Sequence, residues 1–242
     1  MLCVVTALPA RRIARLVTET RAAGGVPYRH IAVAPDQKGR FPRGRLIRLI
    51  GDGPCLLPRG WEGGGLPVFR GTALRRSWML AAAKRTLAAL GVPVSRRSAA
   101  VYDPDGRYPA LLLELAPLAG ELIVVTDRRG AYIPVMRQLM DRYGAAVRFD
   151  TADRARTATV GLAPVGLSAG VPHPPLTFAG APSAPDVIDG YLPDDADEWF
   201  DEVTAGDLRF LDALYEIGKR RELALCEPTA LLRGEKKISL IR

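Results

Sequence analysis

Two short clusters hold the residues in this chain best suited to chemistry. The first is Asp103-Pro-Asp-Gly-Arg-Tyr-Pro109; the second is Asp127-Arg-Arg129, whose aspartate stands 24 residues after Asp103. Asp103, Asp105 and Asp127 could form an acidic rim that holds a divalent metal or a cationic group. Aspartate is also a common cap of strand-to-helix turns, so each position carries both readings. Other chemistry has few candidates. The two histidines, His30 and His173, read as structural or solvated. Cys3, Cys55 and Cys226 lie far apart without a CxxC pair, which argues against a structural zinc site or a disulfide framework. Gly63-Gly-Gly65 lacks the GK[ST] that a phosphate loop requires. No metal is expected, and no catalytic residue is identified.

The elements that must position these clusters lie between Ser98 and Thr151. Ser98–Asp103, Glu121–Asp127 and Ala145–Asp150 are short runs rich in Val, Ile and aromatics, separated by helical stretches. Strand, helix, strand, helix, strand predicts a parallel sheet, because parallel neighbours need a crossover and a helix is the usual one. The fold class is therefore α/β: a Rossmann-like parallel sheet with flanking helices, preceded by a smaller Gly/Pro-rich α/β region. The domains expected are residues 1–91 and 92–242.

Ahead of the sheet, Leu2–Ala7 and Arg29–Ala34 read as strands. Pro9 to Ala23 reads as a helix with Ile13, Leu16 and Val17 on one face, ended by Gly24-Gly25. Arg40, Arg43, Arg45 and Arg48 alternate with apolar residues and suggest a strand, with Gly51-Asp-Gly53 as a turn between two short strands. A helix is expected over 72–90 and a fourth strand over Thr157–Ala163. An edge strand is expected over Asp186–Leu192, a helix start at Asp194–Glu198, a strong helix over Asp207–Leu225 and a terminal strand or arm over 236–242.

The net charge of +8 is unevenly spread. Residues 1–97 carry 18 Lys and Arg against 4 acids, and residues 98–242 carry 16 against 22. The basic half suits a small anionic ligand or a nucleotide, or docking within the chain. As a nucleic-acid surface it is poor, because Arg40–Arg48 holds one aromatic and no known reading motif. No run approaches the roughly 18–20 apolar residues of a membrane span, and Met1–Ala7 lacks the basic start of a signal peptide. A cytoplasmic protein is expected. A homo-oligomer is compatible with the sequence.

The order of helix 72–90, strand 98–103, βα repeats and a closing helix near 207–225 resembles that of shikimate-dehydrogenase-like enzymes, which join an N-terminal domain to a Rossmann NAD(P) domain. The likeness covers about residues 72–165. It implies NAD or NADP as cofactor and oxidoreductase activity, with Asp127 at the ribose hydroxyls and Arg128 and Arg129 placed to meet a 2′-phosphate. Asp103, Asp105, Gly106 and Arg107 would then form the pyrophosphate turn. That turn departs from the family, since only Gly106 remains of its glycines and Pro104 and Pro109 remove two donors. The family's catalytic Lys–Asp pair has no match in residues 1–71, whose one lysine is Lys38. A binding or regulatory scaffold with a degenerate dinucleotide site is the first reading, an NAD(P)-dependent oxidoreductase the second and a nucleic-acid-associated protein the third.

Overall fold

β-Branched and apolar residues at Cys3–Ala7 form β1, which lies parallel to β3 (Val26–Ala34) in register Val5 with Ile31. The segment that joins them in the chain forms β2 (Arg15–Ala23), the edge strand, paired antiparallel with β3 along its whole length. The helix expected over 9–23 is therefore a strand. Val17, Thr18 and Thr20 are β-branched, and Gly24 and Gly25 both take positive φ (53° and 73°), forming a two-residue hairpin turn rather than a helix cap. In this computed structural model residues 1–239 are described, apart from 59, 62, 193–195, 206, 227, 229, 234 and 235.

The arginine-rich stretch departs from expectation too. Arg43–Ile50 is helix α1, with Leu46 and Ile50 buried four residues apart on one face. Gly51-Asp-Gly53 consequently joins a helix to β4 (Cys55–Leu56), which pairs parallel with β1. The sheet order is β2-β3-β1-β4. Cys3, Val5, Ile31 and Val33 pack with Leu46, Ile50, Cys55 and Leu57 into one core. Both thiols are buried in this core, and burial raises them, Cys55 to about 11.

Helix α2 (Ala73–Ala89) buries Leu74, Trp78, Met79, Ala82, Ala83 and Leu87, and also Arg75. It packs on the last two strands of a parallel sheet. That sheet comprises β5 (Ser98–Tyr102), β6 (Glu121–Val125), β7 (Val147–Phe149), β8 (Val160–Ala163) and β9 (Thr177–Ala179). Its order is β7-β6-β5-β8-β9 with every pairing parallel. This is the Rossmann-like α/β build expected. β5 lies at the centre and is buried almost throughout, as a strand covered on both faces must be. Its crossover to β6 carries α3 (Leu111–Leu115), the next carries α4 (Ile133–Tyr143), and α5 (Ala152–Ala155) leads into β8. Gly144, at φ 60°, ends α4 with its N–H donated to Met140 O at 3.0 Å.

From the expected edge strand only β10 (Gly190–Leu192) forms, and it pairs antiparallel with β11 (Ala230–Arg233), which pairs with β12 (Lys236–Ser239). The parallel sheet is approached there by a single bridge, Phe178 to Ile188. The acidic start at 194–198 lies partly outside the described residues. Helix α6 (Leu208–Glu216) is capped by Asp207, whose carboxylate accepts from Arg209 N at 3.1 Å. It stops well short of Leu225, because Gly218 at φ 73° turns the chain out of the helix.

Two compact units result: Met1–Gly71 with Asp195–Leu223, and Thr72–Asp194 with Ala224–Arg242. The line after the basic region falls at residue 71, not 91, since α2 belongs to the parallel sheet. Among the described residues no helix is long and apolar enough to cross a membrane.

Candidate functional site

The carboxyl ends of β5 and β6 bring the two clusters together. As β5 ends, the Asp103 side chain turns inward and is fully buried. Its Oδ1 accepts from Arg107 N at 3.0 Å, and its Oδ2 accepts from Tyr108 N and from the Tyr132 hydroxyl, each at 2.8 Å. Gly106 N donates to Asp103 O at 3.1 Å, closing the turn, and Gly106 itself sits at φ 65°. A buried carboxylate without a cation needs several such donors, and here the turn supplies two of them from its own backbone.

The consequence for a phosphate is direct. A dinucleotide turn offers its backbone N–H groups outward. Here those of Gly106, Arg107 and Tyr108 all bond back to Asp103, and Pro104 has none to offer. Asp105 points into the same region and is exposed, paired with Arg107 at 3.1 Å. An exposed pair of this kind contributes little to stability. Asp103 is thus removed from both the acidic rim and the ligand-binding set, and the three aspartates do not converge. Among the described residues no group of three His, Cys, Asp or Glu is placed to hold a metal.

The second turn is built differently. Thr126 Oγ1 accepts from Arg128 N at 3.0 Å and approaches Pro104 O at 3.3 Å, while Asp127 N donates to Pro104 O at 3.1 Å. These bonds lash the second turn to the first and leave the side chains of Asp127, Arg128 and Arg129 exposed. With Asp105, Thr126, Gly130 and Ala131 they line an open depression of about 760 Å³. The Arg129 guanidinium lies 5.5 Å from the centroid of Phe149, at the end of β7. Among the described residues neither Asp127 nor Arg128 forms an ion pair.

Tyr132 and Thr126 were not singled out in the sequence. Thr126 borders Asp127 and could have been found from that adjacency. Tyr132 lies 29 residues from Asp103, and no local signal links them. Burial, reinforced by the Asp103 carboxylate, pushes the Tyr132 phenol well above its ordinary value. Burial does the same at Tyr102, as it does, with Asp201, at Tyr28. A phenol held protonated in the folded state stabilises fully below the unfolded value, about 10, and that contribution is lost as the pH rises above it. Urea unfolding at stepped pH should therefore show a midpoint that declines above pH about 10, less steeply in Tyr132→Phe. An equal decline in the variant would contradict the Asp103–Tyr132 assignment.

No known family model matches this chain, and no curated protein does. One similar solved structure is Delta(1)-pyrroline-2-carboxylate reductase of Thermococcus litoralis in complex with NADH and L-proline. It is 8% identical over 39% of this chain and 32% of that one, with a TM-score of 0.27. This chain therefore spans about a third of that protein's length. Another is L-tryptophan dehydrogenase of Nostoc punctiforme, 12% identical over 81% of this chain and 74% of that one, with a TM-score of 0.36. At these values neither likeness transfers an activity or a residue role to this chain.

Proposed function

We propose that the parallel unit is a nucleotide-binding module that takes an adenosine ribose and its phosphate at the turn after β6 and grips a pyrophosphate weakly or not at all. Asp127 meets ribose hydroxyls, and Arg128 and Arg129 meet a 2′-phosphate, two cations against one carboxylate. The observation that supports this reading is the contrast between the turns. Backbone donors at 106–108 are committed inward to Asp103, whereas Asp127, Arg128 and Arg129 face an open depression. Guanidinium groups suit phosphate because their planar fork can donate two parallel hydrogen bonds.

The test compares NADP, NAD and 2′,5′-ADP, which keeps the adenosine end and lacks the pyrophosphate bridge. A ligand at a hundred times its Kd stabilises by about 2.7 kcal/mol, read as a thermal shift. NADP and 2′,5′-ADP are expected to bind within about threefold of each other, a difference under about 0.7 kcal/mol, and both shifts should vanish in Arg128→Ala/Arg129→Ala. A shift that survives in that variant, or no shift with either ligand, would end this reading.

The second reading is an NAD(P)-dependent oxidoreductase. The observation in its favour is the reversal of strand order at β5, from which the chain builds outward to β6 and β7 on one side and to β8 and β9 on the other, the place where open α/β sheets take ligands. It predicts that NADP binds far more tightly than 2′,5′-ADP, because the nicotinamide half would add contacts of its own.

A further inference from the structure

The first unit holds a second constellation, independent of the nucleotide reading. We propose that Thr6, His30 and Glu19 form an acyl-transfer site in which the Thr6 hydroxyl is the nucleophile, His30 its base and Glu19 the group that orients the base. Three neighbouring strands each supply one member on the same face. Glu19 lies directly across from His30 in the β2–β3 pairing. On β1 the residue opposite His30 is Val4, so Thr6, two residues on, stands on the same face one step along. The distances form a line: Thr6 Oγ1 to His30 Nε2 is 2.7 Å, and His30 Nδ1 to Glu19 Oε1 is 2.9 Å.

The tautomer follows from the partners. Hydrogen bonds from His30 and then Arg21 hold the Glu19 carboxyl below its ordinary value, so it is ionised and can only accept. Nδ1 must then carry the proton, which in the neutral ring leaves Nε2 as an acceptor for the Thr6 hydroxyl. That is the arrangement a nucleophile, base and orienting carboxylate require, whatever the fold or the order of the residues in the chain. His30 is 8% exposed, while Thr6 is half-buried and the Glu19 side chain is 45% exposed, so the nucleophile is sheltered yet reachable. Arg21 Nε donates to the same Glu19 oxygen at 2.5 Å and helps hold the carboxylate in place.

The substrate class is an ester or thioester of a small carboxylic acid. Thr6 Oγ1 bonds to the acyl carbon while its proton passes to His30 Nε2. The bond from acyl carbon to leaving group then breaks, and the leaving group takes that proton. Water, deprotonated by His30 in turn, hydrolyses the acyl-threonine more slowly than it forms and restores the hydroxyl, so the acyl group accumulates on Thr6.

The test is exposure of the full chain to p-nitrophenyl acetate, followed by intact mass spectrometry and peptide mapping, with far-UV circular dichroism on every variant. One acetyl group at Thr6 is expected. It should be absent in Thr6→Val, retained in Thr6→Ser and taken up about a hundredfold more slowly in His30→Gln. Glu19→Gln should slow uptake without changing its stoichiometry, and Glu19→Asp should restore part of the rate. Folded wild-type protein that takes up no acetyl at Thr6, or a His30→Gln variant labelled at the wild-type rate, would overturn the proposal. Should His30→Gln fail to fold, Thr6→Val and Thr6→Ser still decide it, since they alter the nucleophile and leave the imidazole in place.

Discussion

Asp103→Ala is expected to destabilise the protein by about 2–4 kcal/mol, from stranding one buried hydroxyl and two part-buried amides at about 1–3 kcal/mol each, with water and relaxation recovering part of the amide cost. The Arg107 and Tyr108 amides and the Tyr132 hydroxyl all lose their acceptor, and at a position with no solvent exposure water replaces it poorly. Tyr132→Phe removes one donor and keeps the acceptor, so it should cost only about 1 kcal/mol. Since the two residues touch, the double variant should be less destabilised than the sum, by about 0.5–3 kcal/mol. Urea unfolding of the four proteins closes the cycle. A cost below about 1 kcal/mol for Asp103→Ala would show that the carboxylate does not organise this turn.

Gly106→Val is the second large effect, at about 2–4 kcal/mol, combining a left-handed backbone forced on a β-branched side chain with overpacking. Gly106 lies at φ 65°, and a Cβ there would stand 2.8 Å from Arg128 Cβ and 2.9 Å from Ala131 Cβ. Those contacts are the seam between the two turns, so the substitution should also displace Arg128 and weaken 2′,5′-ADP binding. Gly130 is the control. It lines the same depression, but a Cβ added there meets nothing within 4 Å. Gly130→Ala should leave stability within about 0.5 kcal/mol. Equal effects at the two glycines, read as thermal midpoints and nucleotide shifts, would remove the seam from the account.

Several features were legible because they are local. β5, β6 and β7 announce themselves as short β-branched runs, and the helical stretches between them leave few ways to connect except parallel. Helix α2 was legible from its apolar spacing, and the start of α6 near Asp207 from the amphipathic run that follows, although its end was not. The pairing partner decided the errors. Leu16 and Val17 fit a helix face as well as a strand, and β3 alongside them settled the matter. Leu46 and Ile50 are buried by a helix because the core of Val5, Ile31 and Val33 offers an apolar surface that two residues spaced by four can cover.

The candidate site divides along the same line. Residue types alone set which charges stand at the two turns and that prolines deprive the first of donors, because composition and order are independent of folding. Which way each charge points was settled only when distant segments met. Asp103 turned inward because Tyr132, delivered by the next crossover, supplied a buried donor that no nearby residue could. Likewise Thr6, Glu19 and His30 carry no spacing that marks them as a set. Their line exists because three strands pair in one register, and register is a property of the sheet and not of any one of its strands.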